Sequence, residues 1–194
     1  MTEKQKTLLV WDIDDVLNRF MFLCLGRFPA KRSLRYEDLS VMPPYELLGI
    51  SKEQYLDTLD SCRPVLYKEA PRPEVMRFFE RHGSDFQHIA LSAAPIKFAP
   101  DSAQWLLRHF GCWIQSCIFI PSPRPDVIVR SQRFRSKGEA LLSLGGTPVL
   151  IDDSPLNIAD ARKCGCRTMT FPAPWNENRN VPVNDFLNEL IKLK

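Results

Sequence analysis

The amino-acid sequence predicts an α/β protein, built on a doubly wound parallel sheet with a small helical unit inserted after the first strand. Five short runs are continuously apolar and rich in β-forming residues, which is typical of strands covered on both faces of a parallel sheet. Helical patterns and short connections separate the runs, and this alternation predicts parallel strands joined by helices. The runs are TLLVWD (7–12), QHIALS (87–92), SCIFIP (116–121), PVLIDD (148–153) and CRTMTF (166–171).

Four helices are predicted between the strands, from patterns that each end at glycine, the usual residue just past a helix. These patterns are EVMRFFERHG (74–83), SAQWLLRHFG (102–111), KGEALLSLG (137–145) and LNIADARKCG (156–165). A closing helix is predicted over VNDFLNELIKLK (183–194), with Asn184 or Asp185 as its N-terminal cap.

Residues 19–72 interrupt the alternation of strands and helices. Short helices and turns are predicted there, and their starts are marked by Ser51 and by the prolines of MPPYELL. We therefore expect a core of residues 1–18 and 73–194, with a small helical cap of residues 19–72 over the functional site. A long helical crossover between two strands is the alternative explanation of this segment.

The composition limits the class of protein. The 194 residues suffice for one hydrophobic core and a modest insertion, and 44% hydrophobic and 25% charged residues are ordinary for a globular chain. A net charge of +3 makes no strong case for nucleic-acid or membrane partners. No apolar run approaches the roughly 20 residues of a membrane helix, and the polar start MTEKQK lacks the apolar stretch of a signal peptide. We expect a cytoplasmic protein whose six cysteines are reduced, mostly buried thiols.

Polar side chains follow three of the predicted strands, and a lysine begins the helix before the fourth strand. Ligands of open parallel sheets bind at the carboxyl ends of the strands, so these groups are expected to meet at one edge. Such convergence from four distant segments is stronger support for a functional site than any one motif. The residues are Asp12, Asp14, Ser92, Lys137, Asp152 and Asp153.

Each of these residues also has an ordinary structural explanation. An Asp-x-Asp sequence after an apolar run can form a turn or a helix cap, and Asp153 or Ser154 can cap a helix that begins at Pro155. Ser92 can be a strand-end hydroxyl. Lys137 can be solvated, although the start of a helix slightly disfavours a cation. Together these explanations require four coincidences at one sheet edge, and we reject them.

The chemistry that suits this set of groups is phosphoryl transfer. Asp12 and Asp153 can hold Mg²⁺, a hard cation that accepts carboxylate oxygens, while Lys137 neutralises negative charge. Ser92 can donate a hydrogen bond to a phosphoryl oxygen. One oxygen of Asp12 can attack phosphorus and form an aspartyl-phosphate. Asp14 can serve first as the acid for the leaving oxygen and then as the base for water.

Four segments of the chain resemble, in order, the four motifs of the haloacid dehalogenase superfamily. They are LLVWDIDDVL, HIALS, SKGEAL with its Lys137, and VLIDDSPLN. The resemblance implies a Rossmann-like core, magnesium dependence and an aspartate nucleophile. By matching position it implies Asp12 as the nucleophile and Asp14 as the general acid and base, with the backbone carbonyl of Asp14 as a metal ligand. It further implies Ser92 and Lys137 as phosphate ligands and Asp152 and Asp153 as metal acids.

The same resemblance indicates a branch and a substrate class. Dehalogenases lack the second aspartate of the first motif, so Asp14 favours phosphate esters. The segment FPAPWN (171–176) and the PYELLGISKEQYL part of the cap resemble the 5'(3')-deoxyribonucleotidase branch, which implies a nucleoside monophosphate substrate. Asp15 departs from that branch, which usually has glycine there. Trp175 and Asn176 are candidate substrate residues; Trp175 either stacks on a base or is packed beneath the last loop.

The segment SPRPDVIVRSQRFRSK (122–137) is strongly basic. Arg133 and Arg135 are close enough to Lys137 in sequence to be candidate substrate contacts, although a solvated loop explains most of the arginines. Our interpretation is a magnesium-dependent phosphatase for a small phosphorylated substrate. A phosphatase for nucleic-acid ends and a non-catalytic phosphate- or partner-binding module are the alternatives, and the sequence makes no prediction of oligomeric state.

Overall fold

The computed structural model describes residues 6–122, 131 and 133–194. Five parallel strands form one sheet in the order β3-β2-β1-β4-β5, which confirms the predicted doubly wound α/β class. The strands are β1 (Leu8–Trp11), β2 (Gln87–Ser92), β3 (Ile114–Phe119), β4 (Val149–Asp152) and β5 (Arg167–Thr170). The helices described are α1 (Phe20–Cys24), α2 (Tyr45–Leu48), α3 (Lys52–Leu66), α4 (Pro73–His82), α5 (Ala99–Phe110), α6 (Lys137–Ser143), α7 (Pro155–Lys163) and α8 (Val183–Ile191).

Strand β1 lies at the centre of the sheet and alternates its side chains between two apolar layers. Leu9 and Trp11 belong to one layer and Val10 to the other, and all three are fully buried. Helices α4, α5 and α8 contribute to the first layer, whereas α6 and α7 contribute to the second. Because successive residues of a strand face opposite sides, an uninterrupted apolar run is what a sheet covered on both faces requires.

Inside the first layer, both ring nitrogens of the buried His88 have hydrogen-bond partners. Trp11 Nε1 donates to His88 Nδ1 at 3.0 Å, and the other ring nitrogen of His88 lies 2.8 Å from the carbonyl oxygen of Gly83. This arrangement assigns the proton to Nε2, since Nδ1 must accept. Burial lowers the pKa of His88, so the ring stays neutral and joins β1 to β2.

The segment 19–72, called the helical insertion below, contains α1, α2 and α3. Ser51 caps α3 as predicted: its hydroxyl accepts from Gln54 N at 3.1 Å, and the Gln54 side chain accepts from Ser51 N at 3.0 Å. The stacked rings of Phe28 and Tyr55, 5.3 Å apart, pack α3 against the loop that follows α1. The apolar side chains of the insertion continue into the layer that holds Trp11.

Several local predictions were wrong. The closing helix begins at Val183 with Pro182, and neither Asn184 nor Asp185, at its N-cap, because Pro182 has a φ of −59° and its carbonyl accepts from Asp185 N at 3.0 Å. Strand β3 begins two positions earlier than expected, at Ile114. The four predicted helix-ending glycines, by contrast, do lie just past their helices, and two of them, Gly145 and Gly165, adopt a left-handed φ.

The cysteines also differ from expectation. Cys24 and Cys62 are buried, Cys112 is exposed, and the remaining three are partly exposed. The prediction that most thiols are buried was therefore wrong. Across the described ranges, every helix is too short or too polar to cross a membrane.

Candidate active site

Three carboxylates meet at the carboxyl edge of the sheet. Trp11 lies opposite Ile151 in the register of β1 and β4, so Asp12 and Asp152 leave the two strands at the same level. The amide of Asp12 donates to the carbonyl of Ile151 at 2.9 Å and continues the ladder by one bond. Oxygens of Asp12, Asp152 and Asp153 all lie within 4.8 Å of one another. The sequence-predicted acids of two distant segments are therefore together.

Lys137 joins two of these acids. It is the first residue of α6, only 1% exposed, and its Nζ donates to Asp12 Oδ1 and to Asp152 Oδ2, each at 2.6 Å. Burial alone would lower the pKa of Lys137, but the charges of Asp12 and Asp152 outweigh it and raise that pKa. The buried ammonium stays charged, as the sequence-based role for Lys137 requires.

Asp152 is oriented by the turn that follows it. Its Oδ1 accepts from the amide of Ser154 at 2.8 Å, and the side-chain amide of Asn157 donates to both carboxylate oxygens at 3.1 and 3.2 Å. Ser154 caps α7, so the turn is held at the helix start. The hydrogen bonds described for the Asp152 carboxylate thus come from Lys137 of α6 and from Ser154 and Asn157 at the start of α7.

Ser92 ends β2 at the same edge of the sheet. Ala90 is the register partner of Trp11, and Ser92 lies two residues beyond it. The side chain is buried, and Ser92 Oγ accepts from Ala94 N at 3.1 Å. Accepting this bond leaves the hydroxyl hydrogen available for donation.

Asp14 lies two residues beyond Asp12, and each of its carboxylate oxygens accepts a hydrogen bond. Asn18 Nδ2 donates to one carboxylate oxygen of Asp14 at 3.1 Å. Arg63 Nη1, from α3, donates to the other oxygen at 2.6 Å. Neither Arg63 nor Asn18 was among the predicted site residues. No local sequence signal identifies Arg63, because 49 positions separate it from Asp14.

Asp15 adopts a left-handed backbone with a φ of 62°. Glycine is the residue that this conformation favours. Asp15 is also the position at which the resembled branch usually has glycine. The Asp15 carboxylate accepts from Met21 N at 2.8 Å, and Arg72 Nη2 donates to the Asp15 carbonyl at 3.0 Å. Burial, with a smaller effect of Asp14, raises the pKa of Asp15 to about 7.

Trp175 and Asn176 contact Asp153, one of the three clustered acids. Trp175 Nε1 donates to Asp153 Oδ2 at 2.9 Å. Asn176 Nδ2 donates to the carbonyl oxygens of Asp153 and Phe171, both at 2.8 Å. Both side chains are buried, and the ring of Tyr36 packs edge-on against Trp175 at 5.8 Å. These contacts orient Asp153, whereas substrate contact by Trp175 and Asn176 stays a prediction.

Arg133 and Arg135 are exposed on the segment before α6. The guanidinium of Arg133 lies 5.1 Å from the centre of the Phe134 ring, and the amide of Arg135 donates to Glu139 Oε2 at 2.7 Å. No contact of either side chain with the acids is present in the part of the chain that is described. Their substrate role stays a prediction, and Arg124 and Arg130 lie outside the described residues.

The electrostatics of the acid cluster favour a cation. Burial, with the nearby charge of Asp152, raises the pKa of Asp12 to about 7 against the lowering effect of Lys137. Burial and neighbouring aspartates raise the pKa of Asp153 well above its usual range. Three buried carboxylates face one ammonium, so the cluster has more negative charge than Lys137 can neutralise. Oxygen donors with excess negative charge fit Mg²⁺.

Comparison with solved structures identifies the fold. A haloacid dehalogenase-like hydrolase from Streptococcus pneumoniae has a TM-score of 0.59 at 15% identity, over 96% of this chain and 97% of that chain. A subfamily IA hydrolase of the same superfamily from Geobacter sulfurreducens has a TM-score of 0.56 at 12% identity, over 97% and 100%. A predicted phosphatase from Clostridium acetobutylicum has the same TM-score, identity and coverage.

No family profile and no curated protein matches the chain. At these identities the structural likeness defines the fold. The chain therefore has the fold of haloacid dehalogenase-like hydrolases, as its four motifs predicted, and the deoxyribonucleotidase branch stays a prediction.

Proposed function

We propose that this chain is a magnesium-dependent phosphomonoester hydrolase. The observation that supports it most directly is the buried contact of Lys137 with Asp12 and Asp152, beside Asp153. A cluster of this kind costs stability unless the excess negative charge is matched by bound cations. Asp12, Asp153 and the backbone carbonyl of Asp14 would hold the metal ion, with Asp152 as the further acid. When bound, it would offset the charge of the phosphoryl group.

The proposed first step forms a bond between Asp12 and phosphorus. Lys137 occupies Asp12 Oδ1, so the second carboxylate oxygen is the one available for attack. As that bond forms, the bond from phosphorus to the alcohol oxygen breaks, and the alcohol oxygen takes a proton from Asp14. The result is an aspartyl-phosphate and a free alcohol.

The proposed second step returns the enzyme to its starting state. Water attacks the phosphorus of the aspartyl-phosphate, and Asp14 accepts the proton that the water loses. The bond from Asp12 to phosphorus breaks, which releases inorganic phosphate. Ser92 and Lys137 would bind the phosphoryl oxygens in both steps, as a hydroxyl donor and a fixed cation.

The helical insertion is proposed to act as a cap over this site, with residues 1–18 and 73–194 as the core. The contact of Arg63 with Asp14 supports this role, because it brings α3 to the proposed acid. The substrate is proposed to be a small phosphate ester, with nucleoside monophosphates as the first candidates. Substrate contacts by Trp175, Asn176, Arg133 and Arg135, and a cytoplasmic location, belong to this proposal as well.

The test is phosphate release from a panel of phosphate esters, with and without Mg²⁺. We expect magnesium-dependent release from the wild type and none from Asp12→Asn, which removes the nucleophile at nearly constant shape. Asp57→Asn, the same change at an exposed carboxylate of α3, is the matched control and should retain turnover.

Three results would redirect the proposal. Release by folded Asp12→Asn at the wild-type rate would exclude Asp12 as the nucleophile. Failure of the wild type on every ester, with Mg²⁺ still bound, would favour a non-catalytic binding module. Strongly salt-dependent binding of oligonucleotides would favour action on nucleic-acid ends.

A further inference from the structure

Arg63 is a cation of the helical insertion buried at the proposed reaction site. It lies in the last turn of α3 and is 6% exposed. Its Nη1 donates to Asp14 Oδ2 at 2.6 Å and lies 3.3 Å from the hydroxyl of Tyr67. Within the described ranges, Asp14 is the only carboxylate that Arg63 contacts. That carboxylate also accepts from Asn18, so Arg63 shares its anion with a second donor.

The walls around Arg63 are aromatic. Its guanidinium carbon lies 4.4 Å from the centre of the Phe20 ring and 5.6 Å from that of Phe98. Rings this close to a buried guanidinium limit its contact with water and strengthen any charge interaction that it makes. The rings also restrict the rotation of the planar guanidinium, so the Arg63 side chain loses less conformational entropy when a ligand binds.

The guanidinium has donor capacity that the folded chain leaves unused. Arg63 Nε is buried, and no atom of the described residues accepts from it. An unpaired buried N–H group is costly, and natural cores rarely retain one without a reason. A ligand oxygen that reached this guanidinium would meet a donor already stripped of water. The group therefore has the character of a prepared anion site that Asp14 fills only in part.

We propose that Arg63 recognises a negative charge on the leaving alcohol of the substrate. This inference rests on the proposed phosphatase function, in which Asp14 contacts the oxygen of the leaving alcohol. A charged group near that oxygen would lie beside Asp14, whose carboxylate contacts Arg63 Nη1 at 2.6 Å, and so would be placed towards the Arg63 guanidinium. Carboxylate and phosphate match the planar fork of arginine in two hydrogen bonds.

The preferred substrates are then monoesters whose alcohol carries a carboxylate or a second phosphate. Nucleoside monophosphates release an uncharged nucleoside, so a nucleoside 3',5'-bisphosphate would be preferred over the matching 5'-monophosphate. Two matched pairs separate the sources of the anion: 3-phosphoglycerate against glycerol 1-phosphate for a carboxylate, and the bisphosphate against the 5'-monophosphate for a phosphate.

Binding of these esters is measured by calorimetry with Mg²⁺, in the Asp12→Asn background to prevent turnover. We expect the charged member of at least one pair to bind about 10- to 100-fold more tightly, the ratio typical of a charge-assisted hydrogen bond. In Arg63→Gln this ratio should fall to near one, while Arg63→Lys should retain part of it. Thermal unfolding of each variant checks that the fold survives, and Arg63→Lys keeps the test open if Arg63→Gln unfolds.

Lys97→Gln is the matched control. Lys97 also lies over the Phe98 ring, at 5.2 Å, and pairs with Asp60 of α3 at 2.7 Å, but it makes no contact with Asp14 among the described residues. Its loss should leave the ratio unchanged. Equal binding within both pairs, or a ratio that survives in Arg63→Gln, would overturn the proposal.

Turnover of the same esters by the chain with Asp12 intact separates this inference from the proposed function. Preferential binding of a charged ester with no phosphate release from any ester would leave Arg63 as an anion-binding residue and refute the phosphatase. Equal turnover within both pairs, lowered equally by Arg63→Gln, would support the phosphatase and refute anion recognition. Failure of every ester to bind would refute both.

Discussion

Replacing Trp175 by phenylalanine should weaken Mg²⁺ binding without unfolding the protein. The substitution removes the indole N–H that donates to Asp153 Oδ2 at 2.9 Å, and keeps an aromatic ring beside Tyr36. Both partners are buried, so water does not readily replace the lost donor. A hydrogen bond to a charged group contributes about 1.5–3 kcal/mol. This corresponds to a dissociation constant for Mg²⁺ that rises about 10- to 100-fold.

The assay is calorimetric titration of Mg²⁺ into wild type and Trp175→Phe, with thermal unfolding in chelator as the check on the fold. Trp113→Phe is the control, since Trp113 packs on Phe79 at 5.5 Å, beneath the first apolar layer. It should leave Mg²⁺ affinity unchanged. An affinity in Trp175→Phe within twofold of wild type would refute the argument that the indole orients Asp153. An unchanged Mg²⁺ affinity with a raised KM for a nucleotide would instead support the substrate role predicted from the sequence.

Two further predictions concern the free energy of unfolding, measured with a chelator that keeps the protein free of Mg²⁺. Lys137→Met leaves Asp12 and Asp152 buried without their shared cation, which should lower the free energy of unfolding by about 3–5 kcal/mol; an unchanged denaturation midpoint would contradict this. Asp15 holds a proton in the folded state between its ordinary pKa of 3.8 and its folded pKa of about 7, so its contribution to stability falls as pH rises through that window. Asp15→Asn cannot ionise and should lose less stability between pH 5 and 8; parallel stability curves for variant and wild type would refute the reasoning.

The gathering of the acids could be predicted because it depends on short-range patterns. Continuous apolar runs identify β1 and β4, and parallel strands place their carboxyl ends at one edge. From that alone Asp12, Asp152 and Asp153 are expected together, as the structure has them. The position of Lys137 could be predicted in a similar way, because a cation at the start of α6 is unfavourable unless it faces anions.

The contacts that orient the acids could not be predicted in this way. Trp175 reaches Asp153 across 22 positions and Arg63 reaches Asp14 across 49. Such pairs depend on the rotation of a helix or loop about its own axis, and short helical patterns do not define that rotation. Trp175 and Asn176 were singled out for their resemblance to a branch, whereas the structure gives them hydrogen bonds to Asp153.

The last turn of α3 and the loop that follows it connect the helical insertion to the backbone turn that carries Asp14 and Asp15. Arg63 donates to the carboxylate of Asp14, and Arg72, where the insertion ends, donates to the carbonyl of Asp15 at 3.0 Å. Between them lies the left-handed Asp15, a conformation that an aspartate adopts only at some cost. Two arginines of the insertion thus donate hydrogen bonds to the turn that carries Asp14 and Asp15. The proposed acid is therefore positioned by the insertion and by the core together, through Arg63 on one carboxylate oxygen and Asn18 on the other.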